Sequence, residues 1–221
     1  MNIYLLRHGE TDWNKEGRIQ GHTDIPLNQK GRIQIAQAAT GLARICPKVD
    51  LILCSPLSRA RESAEIAAEN LHYPSGRIVV EPLLIERSFG EAEGMTAAER
   101  EEKYPNYHYS DTGYHFPEME EYEDLMKRAN SAFQKIVDTY KDKDNILAVS
   151  HGAILAAIIT AVTDGKIPYF SDVISLDSGS LFRIYHTDRA VKLAKYDIDE
   201  SKFADIIPAN NEPSTDACAH I

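Results

Sequence analysis

Apolar residues in this chain fall into short unbroken runs, separated by longer segments in which they recur every three or four positions. The runs "NIYLLR" (2–7), "DLILCS" (50–55) and "NILAVS" (145–150) read as strands apolar on both faces, and "RIVVEPLLIE" (77–86) as a third strand with its connection. Such runs are typical of a parallel sheet covered on both sides. Between them, "GRIQIAQAATGLARI" (31–45) places Ile33, Ala36, Ala39 and Ala43 on one helical face, with Asn28 as its cap. Ser55 and Pro56 are expected to be the cap and first position of another helix, continuing through Ala60, Ala64, Ala67 and Leu71. An amphipathic helix is expected over 122–140 and a strongly apolar one from Ala153. "GSLFRIYH" (179–186) and "AVKLAKYDI" (190–198) read as two closing strands of a hairpin turning at Thr187–Arg189.

This rhythm predicts an α/β fold, a three-layer α/β/α sandwich around a mostly parallel sheet of about six strands. Residues 1–205 are expected to form one α/β domain. Residues 88–121, rich in Glu, Tyr, His and Pro, interrupt the alternation and read as an inserted cap. Its segment "YPNYHYSDTGYHFP" (104–117) is expected to form a satellite core; the alternative is a substrate-facing wall of Tyr107, His108, Tyr114 or His115. Residues 206–221 lack periodicity and are expected to be a mobile tail.

With 221 residues, 43% of them hydrophobic, the chain can bury one sizeable core. A formal net charge of −10 with no Lys/Arg cluster argues against a nucleic-acid partner, but not against a small anion. The longest apolar stretch, "AILAAIITAV" (153–162), is too short to span a bilayer, and the first thirty residues do not read as a signal peptide. Three scattered cysteines without CxxC spacing suggest free thiols in a cytoplasmic protein.

In such sheets ligands bind beyond the carboxyl ends of the strands. Four candidate groups fall there: Arg7-His8-Gly9, Ser55 with Arg59 one turn onward, Glu86-Arg87, and Ser150-His151-Gly152. Each alone has an ordinary explanation, as a satisfied core histidine, a solvated arginine or a tight turn. Their convergence from four segments is what points to a site.

These same residues carry a family resemblance. "LLRHGETDWN" matches L-x-R-H-G-(E/T)-(S/T)-x-x-N, and "CSPLSRARESAEIAA" (54–68) resembles (T/S)-S-x-L-x-R-A-x-x-T-A. "RIQGHTDIPLNQKG" (18–31), "LLIERSFGEAEG" (83–94) and "LAVSHGAIL" (147–155) follow in the order found in the histidine phosphatase superfamily, phosphoglycerate mutase-like branch. The resemblance implies a phosphohistidine on His8, with Glu86 as proton donor and then base. It implies transition-state charge held by Arg7, Arg59 and His151, with Asn14 as a neutral donor. A carbonyl near Gly9 would fix the His8 tautomer. Gln20, Gly21 and His22 are expected at the pocket mouth, with a polar surface loop as the alternative for Gln20 and His22, and Gly152 beside the phosphate. Thr11 either contacts phosphate or caps a helix; Ser55 and Ser150 are expected to organise turns. No metal or cofactor is expected.

Departures from the mutase pattern favour hydrolysis of a small phosphorylated metabolite. Phe89 stands in place of a tyrosine and Ala97 in place of a lysine, and Lys103 is the one Lys or Arg among residues 101–121. Mutase-type transfer is the alternative, followed by a non-catalytic phosphate binder. "FPEMEEYEDLMKRA" resembles P-x-G-E-S-x-x-x-x-x-x-R of bacterial phosphatase relatives, with Met119 for glycine and Glu121 for serine. Strand edges and apolar helix faces are compatible with a homodimer.

Overall fold

The structure, a computed structural model, describes residues 1–108, 111–171, 176–187, 191–197 and 202–207. Its centre is β1 (Asn2–Arg7), whose side chains alternate between two hydrophobic clusters, as the period-2 geometry of a strand requires. Ile3 and Leu5 face α5 (Tyr122–Thr139) and α6 (Gly152–Val162); Tyr4 and Leu6 face α2 (Gln29–Ile45) and α3 (Ser58–Asn70). This is the expected three-layer sandwich.

Among the described residues the sheet has seven strands, ordered β3-β2-β4-β1-β5-β6-β7. β2 (Leu51–Cys54), β3 (Val79–Val80) and β4 (Asn145–Ser150) join β1 in a parallel half. β5 (Leu181–His186), β6 (Val191–Asp197) and β7 (Lys202–Ile207) form an antiparallel half. The expected hairpin is thus present, its turn at 188–190 lying outside the described residues. The seventh strand goes beyond expectation and takes in residues 206 and 207, the first two of the stretch read as a tail; residues 208–221 lie outside the described residues.

Other local expectations are corrected. In α2 the buried face is Ile35, Ala38, Ala39 and Leu42, while Ile33 is 50% exposed. Small alanines spread the apolar signal around that helix, so packing rather than composition sets its phase. α3 starts at Ser58 instead of Pro56: Asp24 Oδ1 accepts from both the Ser58 amide and its hydroxyl, at 2.8 Å each. The run 77–86 yields only a two-residue strand, because Pro82, which has no N–H to extend a ladder, opens a 3-10 turn. A brief helix, α1 (Asp12–Lys15), lies near the chain start, and the insertion carries a short helix of its own, α4 (Ala97–Lys103). Its aromatics do not form a satellite: Tyr107 and Phe116 are buried in the same cluster as Leu125 and Phe133 of α5.

Candidate active site

β1 and β4 are neighbours in exact register, with Arg7 opposite Ser150, so the residues after each strand emerge side by side. His8 and His151 follow, their ring centroids 5.1 Å apart and both rings buried. The turn after His8 is tight. A Cβ on Gly9 would lie 2.3 Å from the Gly31 carbonyl oxygen, so two glycine backbones bring the start of α2 against the strand end.

The His8 ring donates Nδ1–H to the Gly9 carbonyl at 2.7 Å, which leaves the Nε2 lone pair free. Burial, then the nearby Arg59 and Arg7 guanidiniums, hold its pKa well below the usual histidine value, against the opposing effect of the Gly9 carbonyl. A neutral ring with a defined lone pair is what a histidine nucleophile needs.

Arg59 is 1% exposed, and burial lowers its pKa to about 10, so it stays cationic at neutral pH. It donates to the carbonyls of Thr23 (2.9 Å) and Gly21 (2.7 Å), and through Nε to His151 Nδ1 (3.2 Å). The other His151 nitrogen, Nε2, lies 2.6 Å from Ser55 Oγ. Arg7 donates to the Leu176 carbonyl.

Glu86 is not at a strand end. It follows the 3-10 turn, and its placement comes from partners distant in sequence. Oε1 accepts from the amides of Arg87 (2.9 Å), Ala153 (3.1 Å) and Ile154 (3.1 Å), so the carboxyl group sits on the N-terminus of α6 through that oxygen. Arg128 of α5 donates to the carbonyls of Leu83, Ile85 and Glu86 and forms a two-pronged pair with Glu120 at 2.8 and 2.6 Å. His22 Nε2 is 2.8 Å from the Glu86 carbonyl. Ser150 Oγ donates to the Leu84 carbonyl at 2.7 Å, tying the same segment to β4.

These residues surround a cleft of about 220 Å³ lined by Arg7, His8, Asn14, Gln20, Gly21, Arg59, Glu86 and Gly152. A side chain on Gly152 would project to 3.7 Å from the Arg7 guanidinium and 3.9 Å from Glu86 Oε2, so the glycine keeps the space between cation and acid open. Three expected residues act from behind the cleft wall. His151 backs Arg59, and His22 supports the Glu86 backbone. Thr11 caps α1 by accepting from the Asn14 amide and bonds Gln20 Oε1 at 2.9 Å.

Sequence reasoning missed a further part of the cleft lining. Arg18, Ile19, Phe89, Ala153 and Phe170 also line it. Arg18 pairs with Glu16 at 2.7 Å and Glu99 at 3.4 Å and donates to the Gly94 carbonyl. Phe170 has a φ of 48°, a backbone region that bulky residues rarely adopt outside functional or strained sites. Glu93 was missed too. Its carboxylate accepts from the amides of His22, Thr23 and Phe89 and from the Thr23 hydroxyl, joining the 20–23 loop to the insertion. Among the described residues no three His, Cys, Asp or Glu side chains are grouped to hold a metal ion, and no helix is long and apolar enough to cross a membrane.

Known proteins share this arrangement of sequence and fold. A Bacillus subtilis protein named uncharacterized phosphatase PhoE is 39% identical over 163 residues, covering 74% of this chain and 78% of its own. The phosphoglycerate mutase-like protein 4 of Arabidopsis thaliana is 33% identical over 161 residues, covering 71% and 68%. Among solved structures, YhfR of Bacillus stearothermophilus superposes with a TM-score of 0.74 at 30% identity, over 85% of this chain and 92% of that one. The family profile of the histidine phosphatase superfamily, branch 1, matches residues 3–199. The chain thus belongs to the histidine phosphatase superfamily and is a phosphatase of its first branch.

Proposed function

We propose that this phosphatase hydrolyses a small phosphorylated metabolite through a phosphohistidine on His8. The observation that carries the reading is the His8 ring itself, neutral, with Nδ1–H held by the Gly9 carbonyl and cationic arginines beside its free Nε2. In the first step that lone pair attacks phosphorus. The ester P–O bond breaks, and Glu86, which enters this step protonated on the oxygen facing Gly152, gives that proton to the departing oxygen. In the second step Glu86 takes a proton from the attacking water, and the P–N bond breaks to release phosphate. Arg7 and Arg59 stabilise the charge on the equatorial oxygens; losing one such donor costs about 3 kcal/mol in the barrier.

Hydrolysis is favoured over phosphoryl return by the character of the mouth. Phe89, Ile19 and Phe170 line it, and its rim cation Arg18 already faces Glu16 and Glu99, so a bisphosphorylated intermediate meets little unsatisfied positive charge there. Neither step calls for a metal ion. The relatives' names supply both readings, a phosphatase and a mutase-like protein.

The test combines rapid-quench labelling with phosphate release from a metabolite panel in the presence of a chelator. Acid-labile label on wild type, its absence in His8→Ala, and phosphate release unaffected by the chelator are the expected outcomes. Efficient isomerisation of 3-phosphoglycerate with negligible phosphate release reverses the conclusion in favour of a mutase; ligand binding without label or turnover reverses it in favour of a phosphate-binding protein.

A further inference from the structure

A guanidinium has five N–H groups, and Arg59 commits three of them. Nε–H goes to His151 Nδ1, one Nη1–H to the Thr23 carbonyl and one Nη2–H to the Gly21 carbonyl. One N–H on each terminal nitrogen remains, on a side chain that lines the cleft. Where those two point is therefore set by where the two carbonyls lie. The Gly21 carbonyl shares a planar trans peptide with the His22 amide, so that oxygen and that N–H point in opposite directions. Glu93 grips the far side of this peptide: its Oε1 accepts from the His22 amide at 2.9 Å. Its Oε2 accepts from the Thr23 amide at 2.9 Å and the Thr23 hydroxyl at 2.6 Å. Gly21, with a φ of 56°, allows this approach, because a Cβ there would lie 2.0 Å from Oε1. Oε1 also accepts from the Phe89 amide at 3.1 Å, so the carboxylate takes its own position from the segment that follows Glu86.

We propose that Glu93 is a positioning residue that holds the Gly21–His22 peptide and so aims the two remaining Arg59 N–H groups at the phosphate. This rests on the reading above of Arg59 as a cation on the equatorial oxygens. The contacts run one way: a backbone amide only donates and a carboxylate only accepts, so no flipped side chain or rotated hydroxyl reproduces them. An anion on the N–H side of a peptide also polarises its carbonyl, which strengthens the bond that the carbonyl accepts from Arg59. Asp24 is the other acid on this loop, but its Oδ1 accepts from the Ser58 amide and hydroxyl. It fixes the start of α3 and leaves the orientation of the Gly21–His22 peptide to Glu93.

A double-mutant cycle on p-nitrophenyl phosphate turnover tests this, with a melting curve for each variant. Arg59→Ala should lower kcat by about 10²–10³-fold. Glu93→Ala should lower kcat on the order of 10²-fold while KM changes by less than about threefold. Glu93→Gln keeps one acceptor oxygen but turns an NH2 group toward an amide donor, and its kcat should fall between Glu93→Ala and wild type. On the Arg59→Ala background, Glu93→Ala should cost less than about threefold, because the group it aims is gone. A folded Glu93→Ala with wild-type kcat overturns the proposal, and so does a loss repeated in full on the Arg59→Ala background. Where Glu93→Ala does not fold, Glu93→Gln completes the cycle under the same two criteria. Wild-type turnover in Arg59→Ala removes the phosphate role of Arg59 and the proposal with it, whereas multiplying losses with an impaired Arg59→Ala remove the proposal alone.

Discussion

Two buried histidines give this site a pH signature. Both His8 and His151 have pKa values pushed well below the 6.5 of an unfolded histidine, first by burial and then by Arg59 and other cationic neighbours. Below pH 6.5 the unfolded chain therefore binds protons that the folded chain does not, and stability falls as pH falls. Each ring should contribute a loss of about 1.4 kcal/mol per pH unit in that window. Urea titrations at about pH 7.5 and about pH 5.5 measure it; a His8→Gln, His151→Gln double variant should lose most of the slope. Gly152→Ala separates chemistry from folding at the same scale. Its Cβ meets nothing closer than 3.7 Å, so the fold should persist, while the methyl occupies phosphate space between Arg7 and Glu86. Unchanged melting with kcat/KM lower by roughly 10²-fold is expected; a fully active variant shows that the phosphate lies elsewhere.

The elements differ in how openly the sequence announces what they carry. β1 and β4 are apolar runs ending abruptly in His8 and in His151 after Ser150, and the expected strands and their terminal histidines coincide with the structure. Glu86 was legible as a residue but not as a placement. β3 stops at Val80, and the acid is fixed by α6 amides and by Arg128, contacts 42 or more residues apart in sequence that no local period encodes. Phe89 and Phe170 were illegible as site residues because an aromatic in a cleft and one in a core have the same sequence appearance. Arg128→Ala should cost about 1–3 kcal/mol, because the carbonyls of Leu83 and Ile85 and the Glu120 carboxylate all lose their donor. It should also lower kcat by disordering the Glu86 segment; equal loss of stability with unchanged kcat shows that the acid is held without it. At the start of α2, Gly31→Ala directs a Cβ to 2.1 Å from the Glu10 carbonyl oxygen. Displacing that backbone should destabilise by about 1–3 kcal/mol and disturb His8, two residues before Glu10, read by melting and by turnover together.

For the whole molecule, the seven described strands divide into a parallel half, after whose strands β1 and β4 come His8 and His151, and an antiparallel half that extends the sheet. The fold class was readable because buried strands alternate with helices; β7 was not, because "KFADII" is short and only partly apolar. Central and edge strands should differ in hydrogen exchange. β1 and β4, paired on both sides and covered by helices, should exchange slowest, and the edge strands β3 and β7 fastest. Equal protection across the sheet contradicts that hierarchy.

The pairing of Arg7 with Ser150 has a wider consequence. The separation between the two imidazoles is a property of main-chain pairing, whereas Arg18, Ile19, Phe89 and Phe170, outside any strand, shape the other end of the cleft. Substitutions in those connecting segments can therefore reshape that end of the cleft without moving the two imidazoles apart.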